Sequence, residues 1–228
     1  MGMDKPVCVV IGIGPKNGRA FATRFANEGY AVALLSRSTD YSKKLAEELG
    51  GKAYACDVTD PEAIKRAFEQ IRGDLGEVDV LLYNAGSGQF GTFDEVPDEA
   101  FEKGWQINVR GLLQSTRQVV GPMRDKGRGA IIVTGATASL RGKPFTTAFA
   151  QAKAAQRSLA QSFARQLGPE GIHVALVIVD GMIGTDEQAD GENALRPSDI
   201  ADTVYHLATQ PKSAWSFEVD VRPFGESW

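Results

Sequence analysis

Val7-Cys8-Val9-Val10-Ile11-Gly12-Ile13-Gly14-Pro15-Lys16-Asn17-Gly18 is the stretch whose reading decides the fold. Its first five residues are continuously apolar and rich in Val and Ile, the pattern of a central strand covered on both faces. The glycines that follow let the backbone turn tightly, and Arg19–Glu28, bounded by Gly18 and Gly29, reads as a helix. Outward from this unit the alternation repeats. Apolar runs recur at Ala31–Leu35, Lys52–Ala55, Val78–Leu82, Ala130–Thr134, His173–Val179 and Phe217–Val221. Helical patterns lie between them. Pro61–Leu75 opens with Asp60 as N-cap and Pro61 at the first helical position, and a Pro start recurs at Pro97 and Pro197. A long helix is expected over Phe101–Lys126, and Phe149, Ala152, Leu159, Ala160, Phe163 and Leu167 repeat at helical spacing. Strand-helix alternation of this kind predicts right-handed βαβ units in one α/β domain over residues 1–228. Its doubly wound, mainly parallel sheet should hold about seven strands, with helices on both faces.

Composition narrows the function classes. The 228 residues are 43% hydrophobic and 24% charged, and 25 Lys+Arg against 29 Asp+Glu leave a net charge of −4. This excludes disordered, collagen-like and disulfide-dense chains. The mild acidity argues against a nucleic-acid or anionic-membrane partner. Cys8 and Cys56 sit in apolar runs, and with only His173 and His206 besides, no metal site is expected. No apolar run is long enough to span a bilayer, and no charged leader with a cleavable apolar stretch precedes the first strand, so a cytoplasmic location is expected.

The turn Gly12-Ile13-Gly14-Pro15-Lys16-Asn17-Gly18 joins the first strand to a helix whose free N–H groups and dipole favour an anion. Glycines there let a diphosphate approach closely, as in the dinucleotide-binding, Rossmann-type arrangement. The second strand ends 24 residues beyond Gly12, where a ribose is read and where an NAD-preferring site carries an acid. Ser36-Arg37-Ser38 stands there instead. An arginine flanked by hydroxyls suits a 2′-phosphate, with Lys16 as a second positive charge, so NADP(H) is expected in preference to NAD(H).

At this point the chain resembles the short-chain dehydrogenase/reductase family over essentially its whole length. Gly12-x-x-x-Lys16-x-Gly18 resembles the family's glycine turn, with Lys16 for the middle glycine. Cys56-Asp57-Val58 resembles the Asp-Val that meets the adenine. Tyr83-Asn84-Ala85-Gly86 resembles Asn-Asn-Ala-Gly, and Asn108-Val109-Arg110-Gly111 matches Asn-Val-x-Gly. Lys153 stands where the active-site lysine belongs, 19 residues beyond Thr134. Asp180-Gly181-Met182-Ile183-Gly184-Thr185 resembles the Pro-Gly-x-x-x-Thr loop over the nicotinamide, with Asp180 for Pro.

The resemblance implies a Tyr that donates a proton, a Lys four residues later, a Ser that positions the carbonyl and an Asn that supports a water relay. Asn108 and Lys153 match the last and second of these. Phe149 occupies the Tyr position and has no O–H, while Ala136, or Thr137 on a one-residue slip, occupies the Ser position. Three readings follow. One is an oxidoreductase whose proton comes from Thr137, Ser139, Thr146, Tyr83 or a water held by Lys153 and Asn108. Another is a substrate that needs little acid help. The third is a pseudoenzyme that binds NADP(H) or a partner. The stretch between Thr185 and Pro197 is short, acidic and polar, which predicts an open site for a small or neutral substrate rather than an anionic acyl carrier. In relatives the long helices pair across a two-fold axis, which implies a homodimer or homotetramer. Trp215, Phe224 and Trp228 are read either as subunit contacts or as cover for their own sheet edge, and His173 and His206 as structural.

Overall fold

A computed structural model describes residues 5–226, so Trp228 lies outside the described residues. The strands are β1 (Val7–Ile11), β2 (Ala31–Ser36), β3 (Lys52–Ala55), β4 (Val78–Tyr83), β5 (Gly129–Ala136), β6 (Ile172–Val179) and β9 (Glu218–Val221), with a separate two-residue pair, β7 (Met182–Ile183) and β8 (Ala194–Leu195). The first seven form one sheet in the order β3-β2-β1-β4-β5-β6-β9, and every neighbouring pair is parallel. Each apolar run of the sequence is thus a strand of this sheet.

The helices are α1 (Asn17–Asn27), α2 (Asp40–Leu49), α3 (Pro61–Asp74), α4 (Asp98–Trp105), α5 (Gly111–Lys126), α6 (Thr147–Leu167) and α7 (Pro197–Ala208). Asp60 caps α3 by accepting from the Glu62 amide, with Pro61 at its first position, and Gly50 ends α2 in the left-handed conformation at φ 64. Because side chains alternate across a strand, β1 sends Val7, Val9 and Ile11 to one core and Cys8 and Val10 to the other. The first core packs Ile64 and Phe68 of α3, Leu112 and Met123 of α5 and Ala160 of α6. The second packs Phe21 and Phe25 of α1, Leu45 of α2 and Ile200 and Val204 of α7.

Two features differ from the sequence reading. The helix expected over Phe101–Lys126 is interrupted by a π turn at Gln106–Arg110 that separates α4 from α5, while the start read at Pro97 is met, with Pro97 as the N-cap of α4. The helix α2 was not expected, because its buried positions, Ser42, Leu45 and Ala46, make too weak an apolar stripe to stand out. No helix among the described residues is long and apolar enough to cross a membrane.

Candidate functional site

Strand order reverses direction between β1 and β4, and ligands of open α/β sheets sit in the crevice that such a switch opens at the strands' carboxyl ends. A cavity of ≈ 280 Å³ lies there. Gly12 and Gly14 form one end, Ser36 and Arg37 the other, with Asp57 and Val58 below and Asn84, Ala85 and Gly86 alongside. Gly12 has φ +95, and a Cβ on it would lie 2.5 Å from the Ala85 nitrogen. The Asn84 amide donates to the Gly12 carbonyl at 2.8 Å, so β4 clamps the turn. A Cβ on Gly18 would meet the Gly12 oxygen at 2.6 Å, whereas one on Gly14 would meet nothing within 4 Å. Gly12 and Gly18 therefore close the turn, and Gly14 leaves its outer face open.

At the far end the Ser36 hydroxyl is 2.8 Å from that of Ser42 and donates to the Ser38 carbonyl at 2.7 Å, so it shapes the loop while Arg37 supplies the exposed charge. The Thr59 backbone amide and hydroxyl both donate to Asp57, holding its carboxyl below the usual range. Lys16, expected as a second positive charge for a 2′-phosphate, has a partner in another part of the chain. Its ammonium donates to the carbonyl of Ile183, tying the glycine turn to the segment after β6.

Lys153 lies on α6 with its ammonium buried. Nζ donates to the Thr134 carbonyl at 2.9 Å and to Gln156 Oε1 at 3.0 Å, and among the described residues no carboxylate pairs with it. Burial pushes its pKa down to about 8. A Cβ on Gly86 would come within 3.3 Å of this nitrogen and 3.4 Å of Asn108 Oδ1, so Gly86 lets the backbone run close to the ammonium. Asn108 sits in the π turn, where its amide donates to the carbonyls of Gly104 (2.8 Å) and Ser87 (2.7 Å). The Asn108 carbonyl accepts from Gln156 at 3.0 Å, linking the π turn to Lys153. Two buried acceptors, Asn17 Oδ1 and Asn108 Oδ1, have no donor. A bare Gly14 face, an unpaired buried ammonium and two orphaned acceptors fit an elongated ligand that carries both anionic groups and hydroxyls.

Beyond Lys153 opens a second cleft of ≈ 1310 Å³. One wall is aromatic: Phe149 lies across Gly88, its ring centroid 5.5 Å from that of Phe90, which is 6.3 Å from Phe145. The opposite side holds Thr137, Asp180 and Met182, with Arg141, Lys143 and Glu226 on the lining. Gly181 and Ile183 reach this cleft. Thr185 does not, since its hydroxyl accepts from the Gln188 amide within its own turn at 3.2 Å. The acidic stretch is also folded on itself, with Asp190 accepting from the amides of Glu192 (2.9 Å) and Asn193 (2.8 Å).

The hydroxyls considered from sequence separate clearly. Tyr83 lies outside the cleft: it is fully buried, donates to the Ile107 carbonyl, and burial raises its pKa far above the ordinary phenol. Its ring packs where a Cβ on Gly111 would be 2.3 Å from its oxygen, which explains that glycine. The buried Ser139 hydroxyl accepts from the Ala136 amide at 3.3 Å, and that of Thr146 exchanges bonds with Lys143 at 2.8 and 2.9 Å. Thr137 donates to Asp180. Sequence reading missed Phe90, Phe145, Arg141 and Lys143, which come from loops without local pattern, and the orienting partner Gln156. Asp180 had a signal, a carboxylate closing an otherwise apolar strand.

Residues 6–195 match the short chain dehydrogenase family model. The chain belongs to the short-chain dehydrogenase family. Members of this family use nicotinamide cofactors and act on small molecules. The chain is 30% identical over 188 residues to the 3-oxoacyl-[acyl-carrier-protein] reductase FabG of Escherichia coli K12, covering 82% of this chain and 77% of that one. It superposes on an alcohol dehydrogenase of the archaeon Thermococcus sibiricus complexed with 5-hydroxy-NADP, with TM-score 0.89, 26% identity and 98% of both chains covered. A metagenomic short-chain oxidoreductase in complex with NADP matches with TM-score 0.84, 28% identity and 96% of both chains covered. Trp215 stacks on His173 of its own chain, centroids 4.8 Å apart, and so covers its own sheet edge; Phe224 remains exposed.

Proposed function

We propose that this short-chain dehydrogenase binds NADP(H) in preference to NAD(H) along the crevice and exchanges a hydride with a small substrate in the adjoining cleft, without an aromatic hydroxyl as proton donor. The observation that carries the reading is Lys153: a buried ammonium with no carboxylate partner among the described residues, beside Gly86 at the junction of crevice and cleft. Burying such a charge is costly, and a ligand that supplies acceptors to it repays the cost.

Residues for each part of the dinucleotide follow from their places. Gly12, Gly14, Asn17 and Gly18 would take the diphosphate at the start of α1, Gly12 by closing the turn rather than by donating, since its own amide is held by the Leu35 carbonyl at 3.0 Å. Arg37, with Ser36 shaping its loop, would pair with a 2′-phosphate; Asp57 and Val58 would flank the adenine. Asn84, Ala85 and Gly86 would line the middle. Lys153 would hold ribose hydroxyls with Asn108 setting its surroundings, and Gly181, Ile183 and, after a shift of its loop, Thr185 would close over the nicotinamide. Lys16 would act through Ile183 rather than through the phosphate. When bound, the nicotinamide supplies or accepts the hydride, and the protein must orient the substrate and manage one proton.

A second reading is favoured by Phe149, which removes the O–H from the position four residues before Lys153: an NADP(H) binder without catalysis. Titration with NADPH and NADH, followed by calorimetry and the blue shift of nicotinamide emission, tests the cofactor assignment. Tight NADPH and weak NADH binding is the expected result, and no binding of either would remove it. Screening carbonyl and alcohol substrates with the wild-type chain and Phe149→Tyr then separates the two readings. Turnover only in the Tyr variant would identify a binder. The layers built around one sheet support residues 1–228 as a single domain. Phe101 and Trp105, both exposed on α4, support self-association into a dimer or tetramer.

A further inference from the structure

Thr137 and Asp180 follow β5 and β6, which run side by side with Ala136 opposite Val179, so the two residues leave the sheet as neighbours. Asp180 is 5% exposed, an expensive place for a carboxylate unless it is paired. Arg222 (3.4 Å) and Arg141 (3.5 Å) approach its Oδ2, and the Thr137 hydroxyl donates to its Oδ1. The Asp180 backbone amide is fixed on the Val221 carbonyl at 2.9 Å. The remaining charged groups on the cleft are Lys143, Lys153 and Glu226. Tyr83, Ser139 and Thr146 are committed elsewhere, and of the hydroxyl residues on the cleft lining, Ser87, Thr134, Thr137 and Thr146, Thr137 is the one whose hydroxyl is hydrogen-bonded to a carboxylate among the described residues.

A hydroxyl has one proton and two lone pairs. The Thr137 proton is spent on Asp180, so toward the cleft it offers only acceptors. A substrate O–H satisfies that arrangement and a ketone oxygen does not. Opposite, Phe90 and Phe145 are 61% and 50% exposed, and with Phe149 they form a ring wall that another aromatic ring would complete at ordinary stacking distance.

We propose that Thr137 and Asp180 are the proton-transfer pair of this cleft, acting on an aryl-substituted secondary alcohol in the oxidising direction. The inference rests on the dinucleotide reading above. In the step, the carbinol C–H bond breaks with its electron pair passing as hydride to an oxidised nicotinamide dinucleotide, which is reduced. The substrate O–H bond breaks, its proton moves to Thr137 Oγ1 as the Thr137 proton moves to Asp180 Oδ1, and the C=O bond forms. Asp180 then returns the proton to water.

The test uses 1-phenylethanol and acetophenone as probes on the full chain saturated with NADP⁺, with binding measured by calorimetry and oxidation by NADPH absorbance. Wild type is expected to bind and oxidise 1-phenylethanol. Thr137→Val should weaken 1-phenylethanol binding about tenfold, the worth of one hydrogen bond, leaving acetophenone and NADP⁺ affinities unchanged. Thr137→Ser should restore it. Asp180→Asn should lower the oxidation rate by about a hundredfold or more, with its NADP⁺ affinity and melting temperature as controls of folding. Binding of NADP⁺ without binding of 1-phenylethanol, or equal alcohol affinity in wild type and Thr137→Val, would overturn the proposal and leave the dinucleotide reading intact. Absence of NADP⁺ binding would overturn both.

Discussion

Replacing Lys153 with Met should make the ligand-free protein more stable and a worse nucleotide binder. Burial lowers the lysine pKa from 10.5 to about 8, and at roughly 1.4 kcal/mol per unit the charged form costs the native state about 3 kcal/mol at pH 7. Met fills nearly the same volume without the charge. It also gives up the bonds to Thr134 and Gln156, each worth about 1 kcal/mol. The net gain is about 1–2 kcal/mol, which for a domain of this size raises Tm by roughly 2–8 °C. The sign with pH is fixed. Between about 8 and 10.5 the unfolded lysine still holds a proton that the native one has released, so wild-type stability climbs through that window. The advantage of Met should therefore be full at pH 7, gone by about pH 9 and reversed above it, where the bonds to Thr134 and Gln156 outweigh the shrinking cost of the charge. Thermal melts of both proteins without cofactor at the two pH values measure this, and calorimetry with NADPH should show affinity lowered about tenfold or more through loss of the charge-assisted bonds. A lower Tm for the variant at pH 7, or a Tm gap that does not change with pH, would refute the reasoning.

Three further outcomes are expected. Arg37→Ala should weaken NADPH about tenfold to a hundredfold while leaving NADH within about twofold, measured by parallel titrations. Gly12→Ala combines a left-handed backbone at φ +95 with a Cβ 2.5 Å from the Ala85 nitrogen, and denaturant melts should show a loss of about 3 kcal/mol or more. Tyr83→Phe removes a buried hydrogen bond to Ile107 outside the cleft, so it should cost about 1–2 kcal/mol in stability with NADPH affinity unchanged; a large change in affinity would return Tyr83 to the site.

The sheet and its order of elements were legible because a parallel strand covered on both faces must be continuously apolar, and Val7–Ile11 and Ile172–Val179 are buried throughout. The glycine turn that lines the crevice was legible for a related reason. Backbone close to a neighbouring chain segment excludes a Cβ, so Gly12 and Gly18 mark themselves locally. What stayed hidden depended on convergence. Nothing near Lys16 announces that its ammonium reaches Ile183, 167 residues away. Nothing beside Tyr83 tells that its hydroxyl turns to Ile107 rather than to the cleft. Asn108 looked like a relay residue and is also the pivot of a π turn, held by carbonyls of Ser87 and Gly104.

From the sequence alone, then, came the class of fold, the glycine turn that lines the crevice and the absence of a hydroxyl at Phe149, all of which are properties of residue type at a position in one strand, turn or helix. The tertiary structure decided which hydroxyl faces the cleft, that Asp180 sits between Thr137, Arg141 and Arg222, and that three phenylalanines share a wall. Those facts arise where the ends of β5 and β6 and the loops around them meet, and side-chain direction across such distances is set by packing rather than by any pattern along the chain.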